Sequence, residues 1–292
     1  MDAAKARAYV PSEQHEFEYE TRDAIIYALG VGCKTAGDLR YLYEGAEGFM
    51  PLPTFVVAPG LLASSVMDWP GIEFDLTRIL HGEQYIEMYE PLPPSGRLKS
   101  QTRVIDLLDK GSGALILTEV TTFDANSGRK LAMQQFGTFQ VGSGNFGGNR
   151  TSPQEKKGVD IPKRPADKVV AEKTSVDQAA LYRMGSGDLN PLHIDSEFAT
   201  MSGFKQPILH GLCTLGYAVH AVLQSFANND ATLFKACKVR FASPVIPGQT
   251  LETQMWKEGN GSRVLFEVFV KETGKKVASN GYVDLQTFRA KQ

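Results

Sequence analysis

Hydrophobic and polar positions change rhythm twice along the chain, and both halves run through the rhythms in the same order. Residues 1–21 are polar and charged and read as an irregular arm. From Arg22, the segment Asp23-Ala-Ile-Ile-Tyr27-Ala-Leu29-Gly30-Val-Gly32-Cys33 reads as a short helix closed by glycines. The run from Thr54 to Met67 reads as a strand and then a helix, divided at Pro59-Gly60. Alternation predicts a strand over 84–90, and Pro91–Gly96 is a turn. Three β-rich runs follow: Leu98–Leu108, Ala114–Phe123 and Lys130–Val141. The connections Asp109–Gly113 and Asp124–Gly128 make them an antiparallel meander.

Residues 142–168 change character to a Gly-rich and then Pro-rich linker. Beyond it the pattern repeats. Gln178-Ala-Ala-Leu-Tyr182-Arg-Met184-Gly185-Ser-Gly187-Asp188 aligns with the first helix, tyrosine on tyrosine and glycine on glycine. The runs Leu251–Lys257, Val264–Glu272 and Lys276–Leu285 match the earlier meander. Gly211–Ala227 carries a helical stripe of Leu212, Leu215, Val219, Val222, Leu223 and Phe226. The expected architecture is two helix-plus-sheet units. Residues 1–145 form the first repeat, 146–168 the linker and 169–292 the second repeat, an α+β arrangement of a long helix wrapped by a five-stranded antiparallel sheet.

The repeats differ where chemistry is concentrated. The second has Asp188-Leu-Asn190-Pro191-Leu-His193, an acid, an amide and an imidazole within six residues of a proline-broken turn. The first has Cys33 at the Asp188 position and no matching cluster beyond it. A carboxylate and an imidazole sharing one water can take and deliver a proton, and asparagine can hold that water. Ser186 lies between glycines without a nucleophile-elbow pattern, so no acyl-enzyme is expected. Gly211 opens the amphipathic helix, where free amide hydrogens favour developing negative charge. Together these groups suit water addition beside an activated carbonyl. His210 is expected to be structural, capping the helix start, and His220 to be partly exposed or a satisfied core histidine. A metal held by Asp188, His193, Asp195 and His210 is set aside because no ligand spacing stands out.

Composition narrows the partners. The 292 residues carry a formal net charge of −2, which gives no electrostatic basis for nucleic-acid or membrane-surface binding. No apolar run approaches the roughly 18 residues of a membrane span. Three cysteines, Cys33, Cys213 and Cys237, show no metal or redox spacing and read as core fillers in a reducing compartment.

Gly187-Asp-Leu-Asn-Pro-Leu-His193 followed by Gly203-Phe-Lys-Gln-Pro-Ile-Leu-His-Gly211 resembles the signature of the hydratase 2 family, the MaoC-like (R)-specific 2-enoyl-CoA hydratases. His81-Gly82-Glu-Gln-Tyr, Leu108–Gly113 and Val239-Arg-Phe241-Ala-Ser-Pro extend the likeness over nearly the whole chain. The resemblance implies a double hot-dog fold, with reversible syn hydration of trans-2-enoyl-CoA to (3R)-3-hydroxyacyl-CoA in fatty-acid β-oxidation. It implies Asp188 and His193 as the acid–base pair, Asn190 as the water holder and Gly211 as the amide donor to the thioester oxygen. It implies acyl-CoA contacts at His81, Gly82, Lys110 and Phe241, no cofactor or metal, a homodimer and a peroxisomal setting. The terminal Ala-Lys-Gln is not a Ser-Lys-Leu signal, which leaves the cytosol open. An acyl-CoA thioesterase and a non-catalytic acyl-CoA-binding module are the alternative readings.

Overall fold

The protein is described from a computed structural model, which covers residues 1–11, 14–65, 68–259 and 261–286. The C-terminal tripeptide, and the end of the run that the sequence extends to Met67, lie outside the described residues.

Among the described residues ten strands form one antiparallel sheet in the order β1-β3-β4-β5-β2-β7-β10-β9-β8-β6. The first repeat supplies β1 (His15–Tyr19), β2 (Ile79–Met88), β3 (Gly96–Asp109), β4 (Gly113–Asp124) and β5 (Lys130–Val141). The second supplies β6 (Lys168–Lys173), β7 (Phe234–Phe241), β8 (Thr250–Glu258), β9 (Arg263–Val270) and β10 (Lys275–Leu285). The repeats join where β2 pairs with β7, Gln84 opposite Val239 and Ile86 opposite Cys237. The helices are α1 (Ala3–Ala8), α2 (Thr21–Gly30), α3 (Leu39–Leu42), α4 (Val57–Ser64), α5 (Gln178–Ser186), α6 (Ser196–Met201) and α7 (Gly211–Phe226). None of the described helices is long and apolar enough to cross a membrane.

Five strands per repeat and an antiparallel wrap agree with the sequence expectation. The two central helices do not match in length: α7 has 16 residues and α4 only 8. Every residue of α7 from Leu212 to Leu223 is buried, not just its apolar stripe, because sheet and neighbouring helices enclose it. The short α4 packs on β3, β4 and β5, and α1 packs on β3 beside it.

Two further expectations are corrected. The described residues of 1–21 are not all irregular: Asp2 caps α1 by accepting from the Lys5 amide, and His15-Glu-Phe-Glu-Tyr19 alternates along the edge of β3. Thr54–Met67 contains no strand among its described residues. A 3₁₀ turn over Pro53–Val56 runs straight into α4, and Pro59 falls in the first turn of α4, where a missing amide hydrogen costs little. Residues 142–167 lack regular structure, yet Val159, Ile161 and Ala166 pack on Tyr85, Trp256 and Tyr282 of the sheet.

The aligned tyrosines and glycines have a physical reason. Helices α2 and α5 cross so closely that a Cβ on Gly185 would lie 2.4 Å from the Tyr27 Cα, and one on Gly30 would lie 3.0 Å from the Tyr182 Cα. Each glycine thus admits the backbone of the other repeat at its tyrosine. The two tyrosine rings meet at 5.7 Å across the seam.

Candidate active site

The turn holding the polar cluster is built by its own backbone groups. Gly187 ends α5 at φ 70° in the left-handed region, and its amide donates to the Arg183 carbonyl. The Asp188 amide donates to Ser186 Oγ, which gives Ser186 a structural task. Asp188 Oδ1 accepts from the Asn190 amide at 3.1 Å. Asn190 Oδ1 accepts from the Leu192 amide at 3.0 Å and starts a 3₁₀ turn over Pro191–His193. Asp195 then caps α6 through the amides of Glu197 and Phe198. Asn190 Oδ1 is committed to this turn, so its Nδ2 hydrogens are the ones left for a water.

His193 is 9% exposed, and its Nδ1 donates to the Ile208 carbonyl at 2.7 Å. A carbonyl only accepts, so the neutral ring carries its lone pair on Nε2. Burial lowers the affinity of this ring for a proton, and the Asp188 carboxylate pulls the other way. Behind it, His210 is 1% exposed with its ring stacked on His193, centroids 3.6 Å apart. His210 Nε2 is 4.0 Å from Asp188 Oδ2. Burial, and then the neighbouring His193, push the His210 pKa down to about 2, so it stays neutral. Its side chain makes no cap bond to α7, contrary to the capping role expected of it. Instead its carbonyl accepts from the amides of Cys213 and Thr214.

A cavity of about 1340 Å³ spans both repeats, and all eight sequence-predicted site residues line it. Asp188, Asn190, His193 and Gly211 come from the second repeat, with Phe241 at the end of β7. The Phe241 ring packs over Gly211, where an added Cβ would sit 3.2 Å from it. His81 faces Phe241 edge-on at 5.3 Å. Its Nε2 donates to the Glu83 carbonyl and to Gln84 Oε1, and burial makes it harder to protonate. Gly82 is the extra residue of a bulge between His81 and Glu83, where β2 shifts register against β5. Lys110 lines the same cavity from the β3–β4 hairpin, but its Nζ donates to the Arg150 carbonyl at 2.8 Å.

Both repeats supply apolar lining to the cavity, the first through residues that include Leu61, Phe74, Val104, Leu115, Ile116 and Phe139. Val104 and Ile116 lie on the sheet face against which α4 packs, and Leu61 belongs to α4 itself. Asp188, His193 and His210 each bring one ligand-type atom within 4.8 Å of the others. The two imidazoles lie face to face at 30°, which sets their in-plane lone pairs side by side and not toward one point.

The first repeat is not devoid of polar groups at the matching position. Cys33 and Asp38 have the spacing of Asp188 and His193, and they meet His220 of α7 in a sealed cluster. His220 Nε2 donates to Asp38 Oδ1 at 2.9 Å and is 3.7 Å from Cys33 Sγ. Asp38 also accepts from the Lys34 amide and from Asn229 Nδ2. Burial alone would raise the Asp38 pKa, but these partners hold it down at about 2. His220 is therefore a buried core histidine bonded through Nε2 while its Nδ1 has no hydrogen-bond partner, and all three cysteines are buried. The cluster lies outside the cavity lining.

A sheet-wrapped helix in two copies, with one Asp/His turn facing a glycine helix start, defines the MaoC-like class. Residues 17–142 match the family described as the MFE-2 hydratase 2 N-terminal domain, and residues 157–281 match the MaoC like domain. The peroxisomal multifunctional enzyme type 2 of Mus musculus is 52% identical over 91% of this chain, which spans 36% of that protein. The probable enoyl-CoA hydratase 2 of Dictyostelium discoideum is 40% identical, with 94% of this chain and 93% of the relative covered. The crystal structure of a MaoC-like dehydratase from Phytophthora capsici superposes with a TM-score of 0.87 at 37% identity, covering 98% of this chain and 99% of that one. The chain belongs to the hydratase 2 family. It spans between about a third and a half of the length of the multifunctional relatives it matches.

Proposed function

We propose that the chain catalyses reversible syn hydration of trans-2-enoyl-CoA to (3R)-3-hydroxyacyl-CoA in fatty-acid β-oxidation. The observation that carries this reading is the meeting of the His193 Nε2 lone pair, the Asp188 carboxylate and the α7 start at Gly211 in one cavity. A water held by Asn190 Nδ2 between Asp188 and His193 adds its oxygen to C3. The pair takes one hydrogen from that water as the C–O bond forms. The π electrons move toward the thioester carbonyl, and the enolate oxygen accepts from the Gly211 amide, whose place at the helix start leaves it without an intrahelical partner. The same hydrogen is returned to C2 from the same face, which makes the addition syn. Both pieces of the water end on the substrate, and the enzyme returns to its starting protonation. The reaction needs no metal or organic cofactor.

His81, Gly82 and Phe241 contact the acyl-CoA beside the reacting carbons, and Lys110 reaches a CoA phosphate by giving up its bond to Arg150. A homodimer is the expected assembly, which light scattering would test. Relatives in mouse, Drosophila melanogaster and Arabidopsis thaliana bear peroxisomal names, and the peroxisome is the proposed compartment. Imaging of the tagged chain in cells tests it.

The deciding experiment incubates the protein with trans-2-enoyl-CoA and follows enoyl absorbance, free thiol and product chirality together. Loss of absorbance without thiol release, with a (3R) product, is expected. Thiol release with the double bond intact would identify a thioesterase, and binding without change would identify a carrier module.

A further inference from the structure

The N-terminal arm bears on the cavity in a way the catalytic groups do not explain. Helix α1 packs on a buried cluster that includes Trp69, Val104, Leu107 and Ile116, with Ala6 fully buried at its centre. Phe74 joins the same cluster from its edge. Of these residues, Trp69, Phe74, Val104 and Ile116 also line the cavity. These four side chains thus border both the cavity and the cluster on which α1 packs.

The arm is tied down at several points. Trp69 Nε1 donates to the Ala6 carbonyl at 2.9 Å, and the Asp2 amide donates to the Gly71 carbonyl at 2.7 Å. Arg7 pairs with the buried carboxylate of Asp106 at 2.7 Å. The Tyr9 ring stands edge-on to Trp69 at 5.0 Å. Gly71, at φ 86°, has the Asp2 carbonyl so close that a Cβ would lie 2.6 Å from it. A helix of six residues has no stability of its own in water, so these ties hold it in place.

We propose that α1 closes the apolar end of the cavity and so sets the longest acyl chain the protein accepts. This rests on the hydratase reading for the identity of the ligand. The thioester is bound at the second-repeat groups, so the hydrocarbon tail extends along the first-repeat face toward Trp69. Trp69, whose indole is anchored on Ala6, is the specificity-determining residue at the end of that path.

The test compares the full chain with a variant lacking residues 2–9, using calorimetric titration with saturated acyl-CoAs from four to twenty-four carbons. Binding of saturated analogues needs no turnover, so it stands apart from the hydration assay. In the full chain, affinity is expected to rise by up to roughly fourfold per added methylene and then stop rising at one length. The truncated protein should bind the four-carbon thioester equally well and continue rising for at least two further methylenes. Arg7→Ala, which loosens the arm without removing it, should shift the break in the same direction by less, and covers the case in which the truncated chain does not fold. A break at the same length in the folded variants, or no break in the full chain, overturns the proposal. If no enoyl-CoA is hydrated but the break moves, the catalytic reading falls and this one stands.

Discussion

His193 and His210 lie face to face, ring centroids 3.6 Å apart and planes 30° from parallel. Two imidazoles this close cannot both carry a proton cheaply, and His210 has the more buried position, so it remains neutral, and the proposed proton transfer falls to His193 and Asp188. Removing either working group should remove its general acid–base contribution, typically about 10²- to 10⁴-fold. Asp188→Ala and His193→Ala are expected to lower kcat by that range while circular dichroism and acyl-CoA binding persist. Near-normal turnover in either variant would refute the assignment.

Gly211 can be tested without removing its amide. In Gly211→Ala the new methyl meets the Phe241 ring at 3.2 Å and must displace it. The expected result is a drop of about tenfold or more in kcat/KM from a misplaced thioester, since a small shift of bound substrate is costly. Thermal unfolding should move little. Steady-state kinetics with one enoyl-CoA decide the matter.

Acid should unfold the protein early. In the unfolded chain His210 takes up a proton near pH 6.5, whereas in the folded chain it resists until about 2. His81 and His193 shift in the same direction. A depressed histidine means the unfolded state binds more protons below pH 6.5, so stability is greatest above that value and falls as pH drops. Each such proton contributes roughly 1.4 kcal/mol per pH unit. Asp38, held at about 2, adds a further loss of stability between roughly pH 3.8 and 2. Urea unfolding across pH 8 to 4 should give a flat upper limb and a falling lower one, and a midpoint independent of pH would contradict this.

The Asp38–His220 pair is expected to matter for stability and not for chemistry. Both side chains are almost fully buried, and their bond is one of the contacts that join α7 to the first repeat. Breaking a buried pair by removing one partner costs about 3–5 kcal/mol. His220→Ala and Asp38→Ala should each show losses in that range, with the double variant less destabilised than their sum. Activity per folded molecule should be unchanged, because neither residue reaches the cavity.

Three ligand-type atoms do cluster at Asp188, His193 and His210. Prolonged dialysis against a chelator is nevertheless expected to leave the hydration rate within about twofold, because acid–base groups and an amide donor suffice for the chemistry. A rate that collapses and returns with added zinc would reverse that view.

Much of this arrangement was legible in the chain. The Asp188–His193 turn could be found because a proline and flanking glycines force irregular backbone, and the meander because its connections carry turn residues. Asp38 and His220 were harder, since nothing local connects residues 182 positions apart. His210 was visible only as the neighbour of Gly211, and its stacking on His193 depends on how the chain returns from α6. The arm misled because Ala3–Ala8 is too short to declare itself a helix before Trp69 and Asp106 give it a surface. Pro59 misled as well, since a proline in the first turn of a helix looks in sequence like one that interrupts it.

The reciprocal fit of Gly30 on Tyr182 and Gly185 on Tyr27 has a consequence for stoichiometry. A surface that accepts its own likeness is the kind two identical subunits use around a twofold axis. Here both halves sit on one chain, so their encounter is intramolecular and independent of protein concentration. Identical subunits must build the same pocket twice. Tethered unequal ones are free of that constraint, and in this chain the full-length α7 carries the proposed reaction centre while the first repeat holds the shortened α4. Titration to saturation should therefore find one acyl-CoA per 292-residue chain.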